Sequence, residues 1–229
     1  MQRLTCLWLG ISFSALALPA QALDLDTFTD PFTTALETNP GDLPAMSTEV
    51  GGAGFLFDQR VTTLQAPTGG PGLANSFLAI DGGTGQLGFI NNSNVTGSAF
   101  EILYTSAVGE DLTDGGINSV FEIDVAFSDI AAPEMAQLTV SVTDGGSDSS
   151  FFSTGFAGPG TLVIPFGEFS SDVDFGDIVS LSLGLDASGV SAPDVVINSV
   201  STAIPEPGTY GALAVGVLGL LILRRRLQR

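Results

Sequence analysis

Carboxylates are the side chains through which this chain could do chemistry in quantity. The densest run is Asp172-x-Asp174-x-x-Asp177. On an extended segment, Asp172 and Asp174 fall on one face, because strand side chains alternate. Carboxylates with loop carbonyls suit a hard cation that takes six to eight oxygens, so calcium is the ion these three residues would hold. No twelve-residue frame with a closing bidentate Glu surrounds them, so they form no EF-hand loop, and a solvated acidic turn is the competing reading. Glu110–Asp114 and Asp144–Asp148 repeat the theme more sparsely. Glycoside hydrolysis also uses a carboxylate pair, about 5–10 Å apart across a cleft. Among so many acids some pair at that spacing is inevitable, and the count diagnoses nothing.

Other catalytic vocabulary is missing. The sequence has no histidine and no lysine, which removes His-based acid–base catalysis, Ser–His triads, most zinc sites, Schiff bases and Ser–Lys dyads. Cys6 is the single cysteine and lies at the start of the first apolar run, where a lipobox cysteine would follow that run. Trp8 is the one tryptophan, also near the N-terminus, and Tyr104 is the one tyrosine of the central region. The platforms on which sugars usually stack are therefore scarce. The expectation is a protein that is not an enzyme, with a secreted hydrolase as the minor alternative.

The elements that must position these acids follow from apolar periodicity. Phe121, Ile123, Val125 and Phe127 alternate with Glu122 and Asp124; Leu138, Val140 and Val142 alternate with Thr139 and Ser141. Phe100/Ile102/Tyr104, Leu162/Ile164/Phe166 and Val179/Leu181/Leu183/Leu185 keep the same period of two, and Asp194–Thr202 is a valine-rich closing run. Gly54–Phe57, Phe77–Ile80 and Leu87–Ile90 are further strand candidates. Between them lie turn signals such as Asp81-Gly82-Gly83, Asp114-Gly115-Gly116, Asp144-Gly145-Gly146 and Gly158-Pro159-Gly160. No capped 3.6-residue period interrupts them. The pattern predicts an all-β fold, a single antiparallel sandwich with one wet and one buried face per strand.

The ends carry a different pattern. Arg3 is followed by an apolar run from Leu4 to Leu18 and then by Ala20-Gln21-Ala22, small residues at the positions signal peptidase reads, so residues 1–22 are expected to be a cleaved signal peptide. Near the other end, Pro205-Glu206-Pro207 precedes a 14-residue apolar run, Tyr210–Leu223, and then Arg224-Arg225-Arg226. As a helix that run covers about 21 Å of a roughly 30 Å apolar slab, a marginal single transmembrane span suited to a temporary tether. The arginines form a cytoplasmic stop, which puts the body on the far side of the inner membrane.

This tripartite end resembles the PEP-CTERM sorting signal of Gram-negative bacteria. The resemblance implies an exosortase as partner, beside signal peptidase, and an exported precursor anchored in the inner membrane that goes on to the cell surface or the extracellular matrix. The stretches Glu110–Asp129 and Leu138–Gly146 further resemble the globular part of many PEP-CTERM proteins, a jelly-roll sandwich similar to galactose-binding and carbohydrate-binding modules. That likeness implies association with exopolysaccharide or biofilm. Its alternative is a carbohydrate-binding or calcium-dependent adhesive module, in which Asp24, Asp26 and Asp30 near the start of the body would join the last strand around a structural ion.

The expected organisation is a signal peptide over 1–22, a sandwich over 23–202 and a sorting signal over 203–229. Of the six Lys and Arg residues, all but Arg60 lie in the ends; of the 25 acids, only Glu206 does. The body therefore keeps 24 acids against one cation, a net charge of −23. Phosphate binding needs Lys and Arg, so nucleic acid is excluded as a partner, and the body favours neutral ligands or cations.

Overall fold

A computed structural model describes residues 22–31, 35–67, 75–91 and 98–204. Thirteen strands make up these residues, in chain order β1 (Leu23–Asp26), β2 (Leu36–Thr38), β3 (Ala45–Val50), β4 (Gln59–Leu64), β5 (Ser76–Asp81), β6 (Gln86–Asn91), β7 (Ala99–Glu110), β8 (Val120–Ser128), β9 (Ala136–Asp144), β10 (Ser149–Phe156), β11 (Gly160–Pro165), β12 (Ile178–Asp186) and β13 (Val195–Ala203). A single 3₁₀ turn, Phe166–Glu168, follows β11. The expected antiparallel sandwich is what forms. One sheet runs β11-β8-β13-β6-β5-β2, with β1 also pairing β13; the other runs β10-β9-β12-β7-β4-β3. Every pairing is antiparallel. Most connections switch sheets. Only β1–β2, β3–β4, β5–β6 and β9–β10 stay within one.

Alternation drives this arrangement. Leu138, Val140 and Val142 of β9 and Leu181, Leu183 and Leu185 of β12 are buried and face Phe121, Ile123 and Val125 of β8 across the interior. Burying each such side chain contributes on the order of 1.5–3 kcal/mol. One end of the core is aromatic: Phe166 and Phe175 stack with centroids 4.1 Å apart, and Phe121 meets Phe166, Phe169 and Phe175 within 6.1 Å. Phenylalanine here is packing material, apart from Phe127 and Phe151, which are exposed.

Four strand expectations need correcting. Phe127 does not join the buried row of Phe121, Ile123 and Val125, because the pairing with β13 shifts register between Val196, opposite Phe127, and Ile197, opposite Val125, and leaves Phe127 exposed. Val179 does not join the core row, because a bulge between Ile178 and Ser180 shifts the parity and buries Ile178 in its place. Gly54–Phe57 is a bend rather than a strand, touching β1 through one bridge, Asp26–Phe55. Phe166 leaves β11 and enters the 3₁₀ turn, since Pro165 ends the pairing with β8 and has no N–H to continue it. The expected signal peptide through Gln21 and the expected span at Tyr210–Leu223 lie outside the described residues. Among the described residues no helix is long and apolar enough to cross a membrane.

Candidate functional site

The body's one cation is not on its surface. Arg60 sits on β4 facing inward with its side chain fully buried, and Nη1 donates to Asp26 Oδ2 at 2.8 Å. Its Nε reaches Glu49 at 3.4 Å, Nη2 donates to the Asp30 carbonyl at 2.6 Å, and the guanidinium lies 4.8 Å from the Phe55 ring centroid. Asp26 also accepts from the Tyr104 hydroxyl at 2.7 Å and the Phe28 N–H at 2.7 Å. Burial pushes the Asp26 carboxyl above its ordinary range, while Arg60 and the two other donors pull the other way. Burial, helped by Asp26, also raises the Tyr104 phenol well above its usual range. Asp26 and Tyr104 are thus committed to each other and to Arg60. Of the acids Asp24, Asp26 and Asp30 expected around an ion, Asp26 instead holds a guanidinium, Asp30 gives that guanidinium its main-chain carbonyl and turns its carboxylate to Gly54 N–H at 2.6 Å, and Asp24 is exposed. The network joins β1 of one sheet to β4 and β7 of the other.

The acidic turns gather at one end of the sandwich and are laced together by main-chain hydrogen bonds. Leu112 N–H donates to the Phe175 carbonyl and Gly145 N–H to the Asp177 carbonyl, at 2.9 and 2.8 Å. Asp144 accepts from Asp148 N–H and Asp174 N–H, both at 2.9 Å, one on each carboxylate oxygen. Asp111 accepts from the N–H groups of Thr113 and Gly115, both at 2.9 Å. Asp174 accepts from Gly176 N–H at 2.9 Å, so residues 172–177 form a turn closed by its own carboxylate rather than the extended segment expected. Asp172 is bonded to Ser170, and Asp177 is wedged against Gly109 and Gly145, whose missing side chains leave room for it. Asp172, Asp174 and Asp177 therefore do not converge. Among the described residues no group of three or more His, Cys, Asp or Glu is arranged to hold a metal ion.

These bonds predict a pH response. The N–H donors, Asp174 first, hold the Asp144 carboxyl below its ordinary range of about 3.8, and Thr113 does the same for Asp111. For an acid depressed in the folded state, the stabilisation is complete above the unfolded pKa and disappears as pH falls through the folded one. The Asp148 and Asp174 amide resonances are therefore expected to hold their positions down to about pH 4 and to move together below it, as NMR would record. Movement centred above pH 5 would show that these bonds do not govern the end loops.

Both ends of the body leave from this same acidic end. Ala22 is exposed, one residue ahead of β1, and Leu23 pairs with Thr202. The Ala203 carbonyl accepts from Ser119 N–H at 3.0 Å, and Ile204 is the last described residue. Ala20, Pro205, Glu206, Pro207 and Arg224, Arg225 and Arg226 lie outside the described residues.

A further feature went unmarked in the sequence. The outward face of the β10-β9-β12-β7-β4-β3 sheet is rich in hydroxyls. One cross-strand row reads Phe151, Ser141, Ser182, Leu103, Val61, Thr48. The next reads Ser153, Thr139, Gly184, Glu101, Thr63, Met46. Gly184 leaves a shallow depression of about 280 Å³, bordered by Gln65, Glu101, Thr139, Ser141, Ser182 and Asp186. Strand parity could have found the hydroxyls; only the pairing register could place Glu101 beside Gly184.

The class defined so far is an acidic antiparallel β-sandwich whose two ends exit together. Residues 203–226 match the PEP-CTERM protein-sorting motif, so the chain carries a PEP-CTERM sorting signal that marks an exported protein sorted through the membrane. No curated protein matches the sequence. Among solved structures, the chain is similar to the family 11 carbohydrate-binding module from Clostridium thermocellum in complex with a β-1,3-1,4-mixed-linked tetrasaccharide. The identity there is 13%, over 80% of this chain and 95% of that one, with a TM-score of 0.40. It is also similar to TmCBM61 in complex with β-1,4-galactotriose, at 9% identity over 78% and 93% of the two chains and a TM-score of 0.33. An exo-β-agarase is similar at 9% identity over 81% of this chain and 25% of that one, with a TM-score of 0.40.

Proposed function

We propose that the protein is a non-enzymatic envelope or matrix protein. It is exported by its N-terminal signal, held briefly at the inner membrane by its C-terminal run, and released by an exosortase to associate with extracellular polysaccharide. The observation that carries this reading is the position of the fold between the two processing signals. The sandwich starts at Leu23 and finishes at Ala203, so removing both ends costs it no strand. That the body acts without catalysis is supported by its chemistry: Asp26 and Tyr104 are sealed in the interior, and Asp111, Asp144 and Asp174 each accept from backbone N–H groups of the end turns. The test is intact-mass measurement of the protein from cells with and without the exosortase. Expected is a mature N-terminus at Leu23 in both and a shortened C-terminus only with the enzyme. An uncut precursor in both would refute the reading.

The hydroxyl-rich face supports a second, more specific reading, carbohydrate binding in the depression over Gly184. Glu101 and Asp186 would accept hydrogen bonds from sugar hydroxyls there, and Ser141, Ser182 and Gln65 would share them. Phe151 is the exposed aromatic of the first row. Glycan-array binding that is insensitive to chelator and falls at least about tenfold in Glu101→Ala, roughly 1.4 kcal/mol, is the expected result. Chelator-sensitive binding that Glu101→Ala leaves unchanged would move the site to the acidic end loops.

A further inference from the structure

A sandwich has four edges, and three of these are guarded. β2 carries Glu37, β3 carries Glu49, and β11 is short and closes on Pro165, which has no N–H to offer a new partner. The fourth, β10, has no guard. Ser149–Phe156 reads SSFFSTGF, eight residues with no charge and no proline, paired on one side only, with β9. Its outward backbone groups form a template for one more strand. Its wet face presents Ser149, Phe151, Ser153 and Gly155; the hydroxyls of Ser149 and Ser153 bond Thr143 and Thr139 of β9 at 2.9 and 2.7 Å, which fixes that face. Phe151 is 68% exposed.

We propose that β10 pairs antiparallel with β10 of a second copy, about a two-fold axis at Ser153. Self-complementarity selects this occupant, since Phe151 and Gly155 lie on one strand, and charge selects the place. A body of net charge −23 repels its own copies over most of its surface, and β10 is a long edge where two can meet without opposing carboxylates. Side chains select the register. Directly opposite residues of an antiparallel pair share a face, so the axis passes through a residue. With the axis at Ser153, each Phe151 faces the partner's Gly155, a position with no side chain of its own over which Met135 already folds. Met135 is 57% exposed. A groove of about 540 Å³ opens beside it, lined by Pro133, Met135, Gly155, Pro159 and Leu162. Its charge, Glu134, is turned to Ser191 N–H at 3.4 Å. The incoming ring covers Met135 and the mouth of that groove, and aromatic–glycine and aromatic–sulfur contacts of this kind favour the pairing. With the axis at Phe152, Phe151 would meet Ser153 and leave Met135 bare.

The test uses the full chain in mild detergent, with Cys6→Ser so that an introduced cysteine is the sole thiol. Ser153→Cys is expected to form a disulfide-linked dimer on mild oxidation, at least about tenfold faster than Thr63→Cys, which lies on the same face of the same sheet but on β4, an interior strand on its far side. Ser153→Lys puts two ammonium groups opposite each other, and like charges so placed should weaken association in light scattering by at least about tenfold while far-UV circular dichroism stays unchanged. Association through the C-terminal apolar run would not respond to Ser153→Lys. Equal association of Ser153→Lys and the parent chain, a monomeric parent, or equal cross-linking at positions 153 and 63 would overturn the proposal.

Discussion

Arg60→Met is expected to destabilise the fold by about 3–5 kcal/mol, the usual cost of removing one partner of a buried ion pair. Methionine fills much of the same space, so the loss is chiefly electrostatic. Asp26, fully buried, would keep its carboxylate with only the Tyr104 hydroxyl and the Phe28 N–H for company. The Asp30 carbonyl, 2.6 Å from Nη2, would lose its donor, and the contact with Phe55 would vanish. A domain of this size has about 5–15 kcal/mol in all, so the loss should move the midpoint of urea unfolding, followed by circular dichroism, by a large fraction of its value. The double change Arg60→Met with Asp26→Asn removes both charges and should recover part of the loss, because the cost lies in the orphaned carboxylate more than in the missing attraction. A midpoint for Arg60→Met within about 1 kcal/mol of the parent would mean that water reaches the pair and that the network does not hold β1.

Arg60 also shows where the sequence was legible and where it was not. Strands β8, β9, β12 and β13 bury aliphatic and aromatic side chains at period two, and alternation alone locates them within a residue or two. β4 reads Gln-Arg-Val-Thr-Thr-Leu, and its buried face is Arg60, Thr62 and Leu64. A polar buried row defeats a search for apolar alternation, although a lone cation in a body of 24 acids is itself a signal that its place is special. β10 is illegible for the opposite reason: as an edge strand it buries little besides Phe156, and its Ser-Ser-Phe-Phe-Ser-Thr-Gly-Phe run shows no period of two. The Asp172–Asp177 run was visible as charge and misjudged as geometry. A carboxylate one or two residues ahead of a glycine closes a turn on its own backbone, as Asp174 does with Gly176, before it is free to serve an ion. The sorting motif was fully legible, because order along the chain is all that defines it.

Changing Pro205-Glu206-Pro207 to three alanines should leave the C-terminal run uncut, with release of the body reduced by at least about tenfold, or roughly 1.4 kcal/mol in barrier terms. The fold explains why so small a segment carries so much. β13 is paired through Ala203 with Val120, in a sheet where β1 and β8 flank it. Residues 204–209 alone separate that strand from Tyr210, and six residues reach at most about 20 Å. With the run anchored as proposed, the acid-rich end of the body would be held close to the bilayer, and a processing enzyme would have only this short segment to grip. Proline fixes φ and offers no N–H, so Pro205 and Pro207 oppose helix formation in this segment, and three alanines would remove that opposition. Glu206 is the one charge in the segment and would mark the position of the cut along it. Glu206→Ala alone, with the prolines kept, separates the two contributions: if extension is what the enzyme needs, its processing approaches the parent's, and if the carboxylate is read directly, it falls with the triple change. Intact mass distinguishes these outcomes. A triple variant trimmed as completely as the parent would show that recognition lies elsewhere in residues 203–226.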